Sequence, residues 1–181
     1  MKKYLSIIFM TAAIFCFSSC SVKTYSLQGN YDNQNKSIET SSSFDDVWNK
    51  VIDFFAMNNI PISTLEKESG IISASQITIN ATSVAVEDKS GQIKNENAWI
   101  VVPYAKDRIG GTVTCSFNVR VRKNNNGKTF IGVNIGNIVC YPIVVYRDPL
   151  SLKKSELQCR YTVSGCASTG LFEKQLLELF R

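Results

Sequence analysis

Cysteines are the most reactive side chains in this 181-residue chain, and one of the six stands where its neighbours prescribe its chemistry. Residues 1–20 begin with Lys2 and Lys3, run through the apolar stretch YLSIIFMTAAIFCF over residues 4–17, and end in Ser18-Ser19-Cys20. A basic start, a short apolar stretch and a small-residue step form the layout of a secretory signal segment. The apolar run is shorter than the roughly 20 residues a spanning helix needs. Two small residues let the chain enter a peptidase groove, and the Cys20 thiolate is the nucleophile suited to thioether formation with diacylglycerol. Cleavage before it would leave Cys20 as a lipidated first residue. Histidine is absent throughout. Its absence removes Ser-His-Asp and Cys-His pairs, the commonest base near neutral pH and the commonest zinc ligand.

This N-terminal pattern resembles the lipobox-terminated signals of bacterial lipoproteins, with Phe17 where the commonest lipobox has Leu. The resemblance implies a membrane anchor of acyl chains on Cys20. Ser21, with no acidic run after it, implies sorting to the outer membrane, facing the periplasm. Residues 21–36 (SVKTYSLQGNYDNQNK) are polar and aperiodic. They read as a flexible tether spanning on the order of 20 Å. The expected organisation is a signal peptide over residues 1–19, the lipidated cysteine and tether over 20–36, and a single domain over 37–181. Removing Lys2 and Lys3 lowers the formal charge from +5 to +3, and no long block of one sign remains. Charge therefore gives no reason to expect a nucleic-acid partner.

Other candidates for chemistry have plainer readings. Asp45-Asp46 sits at the start of a helical pattern, where acids suit the helix dipole. The run Cys166-Ala167-Ser168-Thr169-Gly170 fits neither Gly-x-Ser-x-Gly nor a phosphate loop. No Cys-x-x-Cys knuckle calls for zinc, and no motif calls for a cofactor or a catalytic residue. Asn35-Lys36-Ser37 and Asn80-Ala81-Thr82 match the glycosylation acceptor pattern by chance, since a bacterial lipoprotein normally lacks that pathway. Arg120, Arg122, Lys123 and Lys128 form a basic surface patch that could meet anionic headgroups or an acidic partner; a solvated sheet face explains it as well.

With Cys16 removed and Cys20 acylated, Cys115, Cys140, Cys159 and Cys166 remain in an oxidising compartment and admit three pairings. If Lys123 faces Lys128 in a hairpin, Cys115 faces position 136 and Cys140 lies four residues further, roughly 13 Å along the strand. That exceeds disulfide reach. Cys159 with Cys166 is the expected bridge, closing a short loop before a helix.

The elements that must carry these residues follow from periodicity. Ser37-Ile38-Glu39-Thr40 reads as a strand, and Ser43 caps a helix with the apolar stripe Phe44, Val47, Trp48, Val51, Phe54 and Phe55. Asn58-Asn59 before Ile60-Pro61 stops it. A hairpin turns at Ser69-Gly70, and residues 76–97 read as an excursion with marginal strand. Val113, Cys115, Phe117, Val119 and Val121 alternate with polar residues, Asn124-Asn125-Asn126-Gly127 makes a turn, and the return strand changes phase near Gly136-Asn137, which predicts a bulge. A second helix over residues 171–180 buries Phe172, Leu176, Leu179 and Phe180. The fold class expected is α+β: a single antiparallel β-sheet with two amphipathic helices packed on one face.

The stretch SFDDVWNKVIDFFAMNNIPI and the phrase LEKESGIISAS resemble the BamC-like domains of outer-membrane assembly lipoproteins, which share the helix-grip layout. The resemblance covers roughly residues 41–75 and rests on apolar spacing plus Trp48 and Gly70. It implies a non-catalytic accessory module that docks on an envelope protein partner. The alternative is a module that holds a lipid or small apolar ligand against the stripe Phe44, Trp48, Phe54, Phe55.

Overall fold

The structure, a computed structural model, describes residues 26–31, 36–104, 108–147, 154–157 and 165–181. In chain order the elements are β1 (Ser37–Thr40), α1 (Phe44–Met57), β2 (Thr64–Glu66), β3 (Ile71–Ile79), a 3-10 turn (Ala81–Ser83), β4 (Val84–Val86), β5 (Ile100–Val102), β6 (Arg108–Lys123), β7 (Thr129–Arg147), β8 (Lys154–Leu157), β9 (Ala167–Ser168) and α2 (Leu171–Glu178). The α+β class holds, and the main sheet is antiparallel with the path β1-β7-β6-β3-β2 and β8 beside β7. A single sheet does not. Within the stretch expected as an excursion, β4 pairs parallel with β5, and β9 joins β5 antiparallel to make a second, three-stranded sheet. Strands this short carry too few residues for alternation to show.

α1 begins as its sequence dictates: the Ser43 hydroxyl accepts from the Asp46 amide at 3.1 Å and donates to its carboxylate at 2.7 Å. It ends at Asn58, and Asn59 takes a positive φ of 54°. In the β2–β3 turn, Gly70 has φ 68°, and a Cβ there would lie 1.9 Å from the Val121 carbonyl oxygen. Only glycine lets this turn seat against β6.

Both helices pack on one face of the sheet and meet over Phe117 of β6. Its fully buried ring lies 6.4 Å from that of Phe55 on α1 and 4.4 Å from that of Phe172 on α2. Trp99, beside the second sheet, closes the cluster at 6.0 Å from Phe117 and 5.2 Å from Phe172. Phe54 meets Phe172 edge-on at 5.4 Å, while Phe44 stacks on Trp48. Most of the stripe offered above as a ligand seat is thus engaged in ring-to-ring packing.

Two buried acids fasten the helix layer and the second sheet. Beyond β1, whose extension at Lys36 accepts the Val133 amide, the next outward amide of β7 belongs to Ile135. The Glu173 carboxylate of α2, fully buried, accepts that amide at 3.4 Å and the Ser168 hydroxyl at 2.8 Å. Glu87, 1% exposed and following β4, is the other. Truncating Phe117 to alanine removes the ring on which both helices rest. A loss of about 3–5 kcal/mol is expected in urea unfolding, whereas a loss under about 1 kcal/mol would show that the helices do not depend on it.

Candidate functional site

β6 is bulged against both of its neighbours at one level. On β3, Ala74 pairs with Phe117 and Ile77 with Cys115, so Ser75 and Gln76 together oppose Ser116. On β7, Gly136 pairs with Ser116 and Val139 with Thr114, so Asn137 and Ile138 together oppose Cys115. The bulge expected near Gly136-Asn137 is present, and Asn137 supplies its positive φ of 50°. Gln76 supplies the matching one at 55°. For non-glycine residues such conformations cost on the order of 1 kcal/mol and concentrate where function or a tight turn requires them.

At the paired bulges a cleft of about 570 Å³ lies on the face away from the helices, lined by Ser75, Gln76, Thr114, Ser116, Asn137, Val139 and Tyr141. The Asn137 amide reaches the Ser116 hydroxyl at 3.5 Å, and the Ser63 hydroxyl reaches that of Ser75 at 3.4 Å. The lining supplies hydroxyl and amide groups, one phenol and no formal charge. It can donate and accept hydrogen bonds but holds no base to activate a hydroxyl. Further along the same face, Asn118, Arg120, Arg122 and Asn134 are exposed.

The basic patch is divided by the strand pleat. Arg120 and Arg122 share the open face, whereas Lys123 has the opposite parity and pairs with Thr129. Lys123 acts instead on Asp45 at the start of α1. That carboxyl is held below its usual range first by its hydrogen bond and ion pair with Lys67, at 2.8 Å, and lastly by Lys123. Lys128 is exposed in the turn.

Cys166 is disulfide-bonded to Cys140, not to the expected Cys159, which lies outside the described residues. The pair escapes local reading because it joins β7 to the segment before α2, 26 positions apart in the chain. The expected register is off, since Lys123 faces Thr129 rather than Lys128 and β7 spends an extra residue in its bulge, yet Cys140 lies opposite Val113 and Cys115 stays a free thiol, so the separation of Cys115 from Cys140 holds. With its ends 26 positions apart in the chain, the bridge is worth about 3–4 kcal/mol in the chain-entropy account. Cys20 also lies outside the described residues. Part of the expected tether does not: residues 26–31 are described, and Gln28, Gly29 and Tyr31 bond to Glu87.

Cys115, 1% exposed, is the free thiol among the described cysteines. Burial, and then the charge of Glu173, push it up to about 12, so it stays protonated and unreactive at neutral pH. No group of acidic or sulfur side chains able to hold a metal occurs among the described residues. Glu87 and Glu173 escape sequence reasoning because their partners are distant in the chain. A capping pattern, Ser168 two residues before Gly170 and five before Glu173, was the one available signal for the latter.

Compared with known proteins, the chain matches no family model, no curated protein and no solved structure.

The Cys115 thiol ionises near 9 when the chain is unfolded and near 12 when folded. A raised folded value contributes stability that is complete below pH 9 and is lost as pH rises towards 12. Cys115→Ala should flatten the alkaline fall in unfolding free energy across that window. An unchanged slope would assign the fall to other groups.

Proposed function

We propose that this chain is a membrane-anchored, non-catalytic envelope lipoprotein that docks a protein partner at the periplasmic face of the outer membrane. Acyl chains on Cys20 supply the anchor, and the open face of the main sheet supplies the contact. The observation that carries the docking role is the cleft at the paired bulges: neutral hydrogen-bonding groups lie on a face whose residues Asn118, Arg120, Arg122 and Asn134 remain exposed. A bulge leaves a residue unpaired in its ladder, which suits a surface that bonds another chain. The lining offers no nucleophile paired with a base, which favours binding over catalysis. The disulfide between Cys140 and Cys166 suits an oxidising compartment. The filled aromatic layer between helices and sheet speaks for protein docking over an apolar ligand.

The lipidated protein, cross-linked in intact cells and recovered from solubilised outer membrane, should bring down a partner in stoichiometric amount. Recovery should fall at least about tenfold in a protein carrying Arg120→Glu and Asn137→Gly, with its unfolding midpoint little changed, since both positions are exposed and glycine accepts the positive φ at Asn137. A protein recovered alone, or a partner retained undiminished by the variant, would overturn this reading of the face. Cys20→Ala should move the protein to the soluble fraction, and persistence in the membrane would overturn the anchor.

A further inference from the structure

We infer that residues 28–31 form a latch on Glu87 that sets how far the folded body can stand from its anchor. The Glu87 carboxylate accepts the Gln28 amide at 2.8 Å on one oxygen. On the other it accepts the Gly29 amide at 2.7 Å and the Tyr31 hydroxyl at 3.0 Å. Two consecutive backbone donors and a phenol converge on one acid that is 1% exposed. A buried carboxylate stripped of such partners carries a large desolvation penalty, so the segment satisfies the acid as much as the acid holds the segment.

The fit is steric as well as electrostatic. A Cβ at Gly29 would lie 2.8 Å from the Tyr31 hydroxyl oxygen and 2.9 Å from Glu87 Oε1. On the receiving side, Gly91 has φ 81°, and a Cβ there would lie 3.1 Å from the Gly29 nitrogen. The loop carrying Gly91 is fixed by Asp88, whose carboxylate accepts the Ser90 amide, the Ser90 hydroxyl and the Gln92 amide. Glu87 is itself placed by its amide, which donates to the Val102 carbonyl at 2.9 Å and continues the β4–β5 pairing. The second sheet is therefore the seat of the latch.

The consequence rests on the anchor reading of Cys20 and follows from covalent length alone. With the latch closed, eight chain steps run from Cys20 to the held position at Gln28, so the body cannot sit more than about 28 Å from the anchor cysteine. With it open, the first held residue among those described is Lys36, which accepts the Val133 amide, and the limit doubles to about 56 Å. A body engaging a partner near the headgroups needs the closed length, and one reaching further needs the open length.

Amide hydrogen exchange on the full mature protein in nanodiscs tests the latch. Gln28 and Gly29 amides should exchange at least about tenfold more slowly than an unprotected chain. That protection should vanish in both Glu87→Ala and Gly29→Ala, while the Phe117 and Val119 amides keep theirs. Unprotected Gln28 and Gly29 amides in the native protein, or protection surviving in both variants, would overturn the latch. Cys20→Ala, purified without acyl chains, should retain it, so a failed anchor and a failed latch read out separately.

Discussion

The ring of Phe117 is the contact on which the layers depend. It stands midway along β6, the strand that holds β3 on one edge and β7 on the other, and it receives Phe55 from α1 and Phe172 from α2. Because side chains of a strand alternate, fixing Phe117 inward also fixes Ser116 and Asn118 outward. The position of the helices and the polarity of the open face are two results of the same alternation. Trp99 links this contact to the second sheet, where the Thr169 amide donates to its carbonyl at 2.9 Å just before α2 begins.

Beside that contact, the two bulges and Glu173 fall close together. β6 and β7 are long strands, and bulges are a usual way for such strands to accommodate their twist. Both neighbours of β6 spend an extra residue at adjacent positions, β3 against Ser116 and β7 against Cys115. Just before the β7 bulge and past the end of β1, the amide at Ile135 finds a carboxylate instead of a strand. An acid placed there is costly unless satisfied, and Ser168 completes it. α2 is thereby tied to the sheet by a polar contact as well as by Phe172, Leu176 and Leu177.

Features written in local periodicity were legible. The Ser43 cap, the stripe of α1, the alternation of β6 and the phase change in β7 each depend on neighbours within a few residues, so composition and spacing expose them. The second sheet was not legible, because strands of two or three residues have no period and their pairing joins residues far apart. The disulfide was misread for a related reason: Cys140 and Cys166 lie in different elements 26 positions apart, and no local spacing brings them together. The cleft carries no motif at all. Its polar residues are ordinary serine, threonine, asparagine, glutamine and tyrosine, and only the coincidence of two bulges on opposite edges of β6 gathers them.

Glu87 shows most directly how burial can invert a sequence reading. In the run Glu87-Asp88-Lys89-Ser90-Gly91, its charge and its turn-forming neighbours describe a solvated loop, and Asp88 behaves that way, its carboxyl held low by hydrogen bonds from Ser90 and Gln92 while open to water. Glu87 differs by one position, and in an extended strand one position is the other face. It points into the body, where a segment 56 to 59 residues earlier supplies the donors that water would otherwise have given. The phenol of Tyr31 registers the same environment: burial first, and then the hydrogen bond and charge of Glu87, hold it up at about 12, so it remains a donor throughout the physiological range. A segment whose composition reads as tether is thus docked because its Gly29 and Tyr31 meet a buried acid.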